Sequence, residues 1–482
     1  MKIITLCLAF FVGTVAVQAQ EHNMSSGYVR PVDPEVLQKL AHWQDLKFGL
    51  FMHWGTYSQW GVVESWSICP EDEGWTQRRG PYSANYYDYK KAYENLQTSF
   101  NPTRFNPEKW AAAAKDAGMK YVVLTTKHHD GFCMFDTKET DYKITDEKTP
   151  FSKNPRSNIA LEVFNAFRKD GFMIGAYFSK PDWHVPTYWW PYFPPKDRNV
   201  NYDPKKYPEK WTAFKQFTHN QIRELMTGYG KVDILWLDGG WVRPFGSIDP
   251  KVEWQRTIPY DQDIDMAAIS KMGRSLQPGL VVVDRSVGGE FENYFTPEQT
   301  IPAKPLNYPW ESCITMGGSW SYVPNDTYKP TNELIHMLVR IVSRGGNFLL
   351  NIGPSPEGDF SDTAYSRLKE IGQWMKIHGE AVYGTIPLAP YEYGNVVYLQ
   401  SKDEKTIYAY VLSDKDGHME LPAQISLAGM PVRKNSQVSC LDAPKEKLKL
   451  ALVNGVYTIV PTDKLKQKAI SFQYATTFKI VL

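Results

Sequence analysis

The stretch "VDILWLDGGW", residues 232–241, decides how this chain is read. Val232, Ile234 and Leu235 form a β-run, and the run ends on an ionisable carboxylate, Asp238, where a buried strand should still be dry. Two tryptophans, Trp236 and Trp241, flank that carboxylate, and Gly239 and Gly240 let the backbone bend tightly after it. A strand-end Asp can simply cap a helix or close a turn. The aromatic frame and the paired glycines favour a carboxylate carried to the rim of a pocket.

Working outward, short apolar strands alternate with amphipathic helices from about residue 44 to 380. "KFGLFMHWG" (47–55), "MKYVVLTTKHHDG" (119–131), "FMIGAYFS" (172–179), "LVVVDR" (280–285) and "GGNFLLNIGP" (345–354) read as strands. "PEKWAAAAKDAG" (107–118) reads as a helix with Pro near its first turn and Gly at its end, and "SNIALEVFNAFRKDG" as a Ser-led helix. Further helices are expected around 207–229, 330–344 and 361–378, and over 262–276 with Ile264, Ala268, Met272 and Leu276 on one face. Such alternation, with continuous apolar strands, indicates a parallel sheet. At this length it predicts an eight-fold or near-eight-fold (β/α) barrel over residues 30–380, in preference to an open doubly wound sheet. His53, His128, His129, Asp238 and Arg285 all fall at C-terminal strand ends, the face on which barrels build their sites. Neither a G-x-G-x-x-G nor a P-loop is present, so a nucleotide-binding fold loses ground. Residues 385–482 instead alternate like half-exposed strands joined by turns, which predicts a C-terminal antiparallel β-sandwich, either a structural cap or a sugar-binding module.

The bulk numbers narrow the partners. Lys+Arg 54 against Asp+Glu 53 leaves a formal charge of +1, giving no reason to expect nucleic acid or an acidic membrane surface. Aromatic residues make up 14%, many of them in Pro/Gly-rich loops, which suits flat, partly apolar ligands such as sugar rings. "MKIITLCLAFFVGTVAVQAQ" (1–20) has an early Lys, an apolar run and a small-x-small ending, the pattern of a signal peptide over residues 1–19. The mature protein is therefore expected to be exported, periplasmic or secreted. No later stretch approaches ~20 apolar residues, so no membrane span is expected. Cys69, Cys133, Cys313 and Cys440 are widely spaced with no C-x-x-C, and are expected to be mostly free, buried thiols.

A rim carboxylate in an aromatic pocket suits glycoside hydrolysis, which needs two acids. Asp238 would be one. Glu64, Glu290, Glu292, Glu298 and Glu311 are candidates for the other, and residue types alone do not choose among them. "KHHDGF" (127–132) invites a metal reading, but adjacent histidines on an extended chain point to opposite sides, and no spaced third ligand completes a site. Hydrogen bonding to sugar hydroxyls is the better reading, with no metal and no other cofactor expected. Arg285 in "VVVDRS" could pair with Asp284 or with a ligand oxygen, and no G-x-S-x-G elbow supports a serine hydrolase. The aromatic loop 180–204 reads as a substrate-side wall.

Taken together, "KFGLFMHWGTYS", "TTKHHDGFCMFDTK", "WLDGGW", "VDRS" and "SRGGNFLLNIGPSPEGDF" resemble the retaining α-L-fucosidases of glycoside hydrolase family 29, over roughly residues 30–380. The resemblance implies that Asp238 is the nucleophile and that Trp236 lines a fucose pocket. It implies fucose contacts from His53, His128, His129, Tyr177 and Arg285, although Val283 stands where the family's N-D-R motif has Asn. Glu64 and Trp66 match sugar contacts that the family places side by side, whereas here Ser65 separates them. For the acid/base the resemblance ranks Glu298 in "FTPEQ" first and Glu311 in "YPWESC" second. The implied reaction is exo-acting release of terminal α-L-fucose from a fucosylated oligosaccharide or glycoconjugate by double displacement, with Glu298 held protonated by apolar surroundings. The alternatives are an α-L-galactosidase on the same scaffold, distinguished by the wall around C6, and a sugar-binding protein without turnover.

Overall fold

A computed structural model describes residues 27–70, 76 and 78–482; the leader expected over residues 1–19 lies outside them. Helix α1 (Pro34–Leu46) precedes β1 (Phe48–Met52), and α2 (Tyr86–Glu94) and α3 (Pro107–Asp116) precede β2 (Tyr121–Lys127). Next come α4 (Ile159–Lys169), β3 (Met173–Ser179), α5 (Pro208–Gly228), β4 (Ile234–Asp238), α6 (Met266–Leu276) and β5 (Val281–Val283). Strand β6 (Glu311–Thr315), α7 (Thr331–Ser343), β7 (Asn347–Asn351) and α8 (Asp362–His378) complete this part. The seven strands form one parallel sheet in the order β5-β4-β3-β2-β1-β7-β6.

That order leaves a gap between β5 and β6, where an eighth strand would close the barrel. An irregular segment fills it. Glu292 bridges Val283 in antiparallel fashion, while Phe295 and Glu298 bridge Trp310 and Cys313 in parallel. The expected near-eight-fold barrel thus takes the form of seven regular strands and an extended staple over residues 292–299. A regular strand is interrupted here because Pro297 has no N–H to donate and Gln299 turns the chain into the left-handed region at φ 53°.

Period-two alternation assigns the two faces of the sheet. Phe51, Tyr121, Val123, Tyr177, Trp236 and Leu349 belong to the barrel interior, while Leu50, Leu124, Phe178, Leu237 and Leu350 pack in the layer beneath the helices. Helix α1 plugs the N-terminal end of the barrel. Its Trp43 stacks on Tyr294 with ring centroids 3.9 Å apart, and its carbonyl accepts a 2.7 Å hydrogen bond from Asn347 Nδ2. Two helix expectations shift in detail. Asn158, not Ser157, caps α4, its side chain accepting the Leu161 N–H. Asp265 caps α6, so Ile264 lies outside the helix and the buried face is Met266, Ile269, Ser270 and Gly273.

Beyond α8 lie β8 (Thr385–Tyr393), β9 (Val396–Ser401), β10 (Thr406–Leu412), β11 (Ile425–Ser426) and β12 (Gln437–Cys440). They are followed by β13 (Leu450–Val453), β14 (Val456–Ile459), α9 (Asp463–Ala469) and β15 (Ala475–Val481). A five-stranded sheet, β12-β15-β10-β9-β8, faces a three-stranded one, β11-β14-β13, and all pairings are antiparallel. Strands β9 and β10 are not half-exposed. Val396, Tyr398, Ile407 and Ala409 enter the sandwich core, while Val397, Leu399, Tyr408 and Tyr410 join the core that extends from the barrel helices. Trp374 of α8 fastens the seam by donating from Nε1 to the Ala475 carbonyl at 2.8 Å. Cys69, Cys133, Cys313 and Cys440 are free and buried, and no helix among the described residues is long and apolar enough to cross a membrane.

Replacing Trp43 by Ala empties the barrel plug and should lower unfolding stability by about 3–5 kcal/mol. Urea titration checks this, and a loss under about 1 kcal/mol would show that α1 is not part of the core.

Candidate active site

A cavity of about 540 Å³ opens at the C-terminal ends of the strands. Asp238, Glu298, Glu64, Trp66, Trp236, Tyr177, Arg285 and the three expected histidines line it, whereas Glu290, Glu292 and Glu311 do not. Strand β4 delivers Asp238 as its last residue, and the two glycines that follow are there for different reasons. Gly239 adopts φ +89°, and a Cβ there would meet Pro181 Cδ at 2.3 Å. Gly240 lies so close to the next strand end that a Cβ would meet the Arg285 carbonyl oxygen at 2.9 Å. The turn after β4 therefore presses against the turn after β5, which brings Asp238 and Arg285 together.

Arg285 is the hub. Its Nη1 donates to Asp238 Oδ1 at 2.9 Å, and its Nη2 donates to Glu298 Oε2 at 2.8 Å. The guanidinium lies over the Trp236 ring, 4.9 Å from the centroid. Burial alone would lower the arginine, but the Asp238 and Glu298 carboxylates outweigh it and hold the side chain above its usual range. Tyr177 OH donates to Asp238 Oδ2 at 2.8 Å, and His129 Nε2 lies 3.7 Å from the same oxygen. Glu298 projects from the staple rather than from a strand. The apolar surroundings expected for it are corrected, because its nearest charged partner is a cation.

The histidines are neutral and oriented. Burial pushes His53 down to about 4 and His129 to about 3, and holds His128 well below its usual value. Asn351 Nδ2 donates to the Trp320 carbonyl at 2.7 Å, which turns its Oδ1 to His53 Nδ1 at 2.8 Å. His53 then donates from Nδ1 and presents Nε2 as an acceptor. Ser65 Oγ accepts the Asp130 N–H at 2.9 Å and lies 2.5 Å from His128 Nδ1, so its own proton is placed for that nitrogen. His128 and His129 both face the cavity, with rings 4.2 Å apart, contrary to the opposite-side expectation. They stand beyond the end of β2, in a turn, where strand alternation no longer applies. Behind them Lys127 pairs with Asp182 at 3.1 Å, and Asp130 accepts the Tyr93 hydroxyl at 2.7 Å.

Glu64 brings a third carboxyl to the cavity. Burial, with the Asp238 and Glu298 charges adding to it, raises the group to about 8, although Oε1 accepts the Ser321 N–H at 2.8 Å. Glu311 lies elsewhere. It begins β6, fully buried inside the barrel, and accepts Tyr121 OH at 2.6 Å and Trp236 Nε1 at 3.2 Å. Burial raises it to about 7, but it supports the cavity floor and does not face the cavity. The 180–204 loop also sits one layer back. Its Trp183 packs against Trp66, His129 and Trp241, and none of its residues lines the cavity. Sequence reasoning missed Asn351 and Ser65 as orienting partners, and Gln299, Thr315, Trp320 and Lys329 as cavity walls. Their signal is contact across the fold, not local pattern. His128, His129 and Asp238 also bring potential ligand atoms within 4.8 Å of one another, although Arg285 already occupies one oxygen of Asp238.

A sequence model of the α-L-fucosidase family matches residues 15–380. The chain is similar to the tissue α-L-fucosidase of Bos taurus, 29% identical over 91% of this chain and 88% of that one. It is similar to the α-L-fucosidase of Dictyostelium discoideum, 26% identical over 87% of this chain and 89% of that one. Among solved structures, α-L-fucosidase isoenzyme 1 from Paenibacillus thiaminolyticus superimposes with a TM-score of 0.71 at 28% identity, covering 93% of this chain and 99% of that one.

With Glu64 raised to about 8, the fold retains a proton that the unfolded chain gives up near 4.5. The resulting stabilisation is full below about 4.5 and is lost as pH rises through about 8. Glu64→Gln fixes the neutral form and preserves the acceptor for the Ser321 N–H. Its melting temperature should fall less steeply than that of the parent between about pH 4.5 and about pH 8, and parallel curves across that window would refute a buried neutral Glu64.

Proposed function

The chain belongs to the α-L-fucosidase family, a glycoside hydrolase family, and we propose that it releases terminal α-L-fucose from fucosylated glycans by double displacement. The observation that carries the reading is the shared grip of Arg285 on two carboxylates, Asp238 and Glu298, at one cavity. A retaining pair needs its carboxyls ~5–5.5 Å apart, and a common guanidinium partner gathers the two at one cavity.

Asp238 attacks the anomeric carbon while the bond from that carbon to the leaving oxygen breaks and Glu298 delivers a proton to that oxygen. The product of this half is a fucosyl ester on Asp238. Water then attacks the same carbon, gives its proton to Glu298, and Asp238 departs as a carboxylate, so two inversions retain the configuration. The Arg285 Nη2 contact has to loosen when the sugar enters so that Glu298 can carry the proton. His53 Nε2 accepts from a sugar hydroxyl, and the neutral His128 and His129 rings add hydrogen-bonding groups without bringing a second cation close to Asp238. Tyr177, by donating to Asp238 Oδ2, favours the ionised nucleophile.

Asp238→Ala should lower kcat/KM on an activated aryl α-L-fucoside about a thousandfold or more. Azide should restore turnover and give the fucosyl azide of inverted configuration, whereas unchanged turnover in the variant would end the assignment. Phe51, Val63 and Val323 give the cavity apolar walls suited to a methyl at C5. A preference of about a hundredfold for an aryl α-L-fucoside over the matching α-L-galactoside is expected. Equal rates would favour the galactosidase reading.

A further inference from the structure

Glu298 stands on the least regular part of the barrel, yet the backbone around it is closely held. The Pro297 carbonyl accepts the Cys313 N–H at 3.2 Å, and the Gln299 N–H donates to the Cys313 carbonyl at 3.0 Å. Immediately after Glu298 the chain enters the left-handed region at Gln299, φ 53°, a conformation that a non-glycine residue keeps only when its surroundings enforce it. The enforcing contact is the Gln299 side chain. Its Oε1 accepts the Thr315 N–H at 3.3 Å, and its Nε2 donates to Thr315 Oγ1 at 3.2 Å. Thr315 is itself anchored, since its hydroxyl donates to the Gly317 carbonyl at 2.8 Å and its own carbonyl accepts Lys329 Nζ at 2.7 Å. Gln299, Thr315 and Lys329 all line the same cavity as Glu298.

We propose that Gln299 is a positioning residue for the reaction, its two-point clamp on Thr315 fixing the backbone that aims the Glu298 carboxyl at the leaving oxygen. The inference rests on Glu298 being the acid/base. A side chain exposed to solvent that uses both ends of its amide on one residue could also merely fasten a surface turn. The two roles differ in what they do to proton donation. A misaimed acid penalises leaving groups that need a proton and spares those that do not. A generally loosened turn penalises both.

The test compares kcat/KM for a fucosyl oligosaccharide, whose leaving group is poor, with kcat/KM for a dinitrophenyl α-L-fucoside, whose leaving group is good. Glu298→Ala sets the reference, with a loss on the oligosaccharide of ~10²–10⁴ from general acid catalysis and a far smaller loss on the aryl substrate. Gln299→Asn keeps a residue that tolerates the left-handed conformation but shortens the amide beyond reach of Thr315. Thr315→Val removes the hydroxyl end of the clamp alone. Both variants should melt as folded protein and shift the ratio of the two rates in the direction of Glu298→Ala, by about tenfold for Gln299→Asn. The double variant should add little to the larger single effect. Equal losses on the two substrates, or none, would overturn the positioning role. A Glu298→Ala profile without leaving-group dependence would instead remove the acid/base assignment, and the Gln299 proposal with it.

Discussion

The guanidinium of Arg285 is the contact on which the site depends. Two carboxylates facing one partly buried cavity repel each other, and burial makes the repulsion worse. Placing one delocalised cation between Asp238 and Glu298 removes that cost and fixes both groups in direction. The arginine is paid for by its own backbone, which lies in the left-handed region at φ 60°. Glu292 holds that conformation by accepting the Arg285 N–H, and Arg243 donates to the Arg285 carbonyl at 3.3 Å. Behind them Lys180 pairs with the neighbouring Asp284 at 2.9 Å, both fully buried. A fully enclosed ion pair of this kind is weak support for stability but strong support for a single arrangement, because losing either partner strands a charge.

The rest of the cavity is built so that this cation has little competition. His53, His128 and His129 all lose their proton affinity to burial, so three imidazoles serve as neutral hydrogen-bonding groups. Asn351 and Ser65 then decide which nitrogen faces inward for the first two. The aromatic residues form a layer behind them, with Trp183 stacked on Trp189 at 5.2 Å and touching His129. This layer supplies the dryness that keeps the rings neutral.

Much of this was legible in the sequence because strand ends announce themselves. An apolar run that stops on a polar residue places that residue on the catalytic face, and Asp238, His53 and Arg285 all follow the rule. What failed did so for physical reasons. Strand β6, "ESCIT", opens on a buried Glu311 and has too few apolar residues to read as a strand. Helix α1 mixes apolar and polar residues, and of its apolar ones only Val36, Leu40 and Trp43 are buried. His128 and His129 face the same way because they stand in a turn, where strand alternation no longer predicts direction. Pairs such as His53 with Asn351, about 300 positions apart, leave no local trace at all.

The unclosed place between β5 and β6 has a consequence for how such a barrel can change over time. Asp238 ends a strand laddered between β3 and β5, and itself pairs with Ser179 of β3, so an insertion or deletion within that strand shifts the register of a whole sheet. Glu298 belongs to a segment joined to its neighbours by a few isolated bridges, and residues can be gained, lost or exchanged in it at small cost to the rest. Under the proposed mechanism, the scaffold therefore separates a fixed half of the chemistry from an editable half. Descendants could relocate the proposed proton donor, or accept it from another loop, while the proposed nucleophile stays where the sheet puts it.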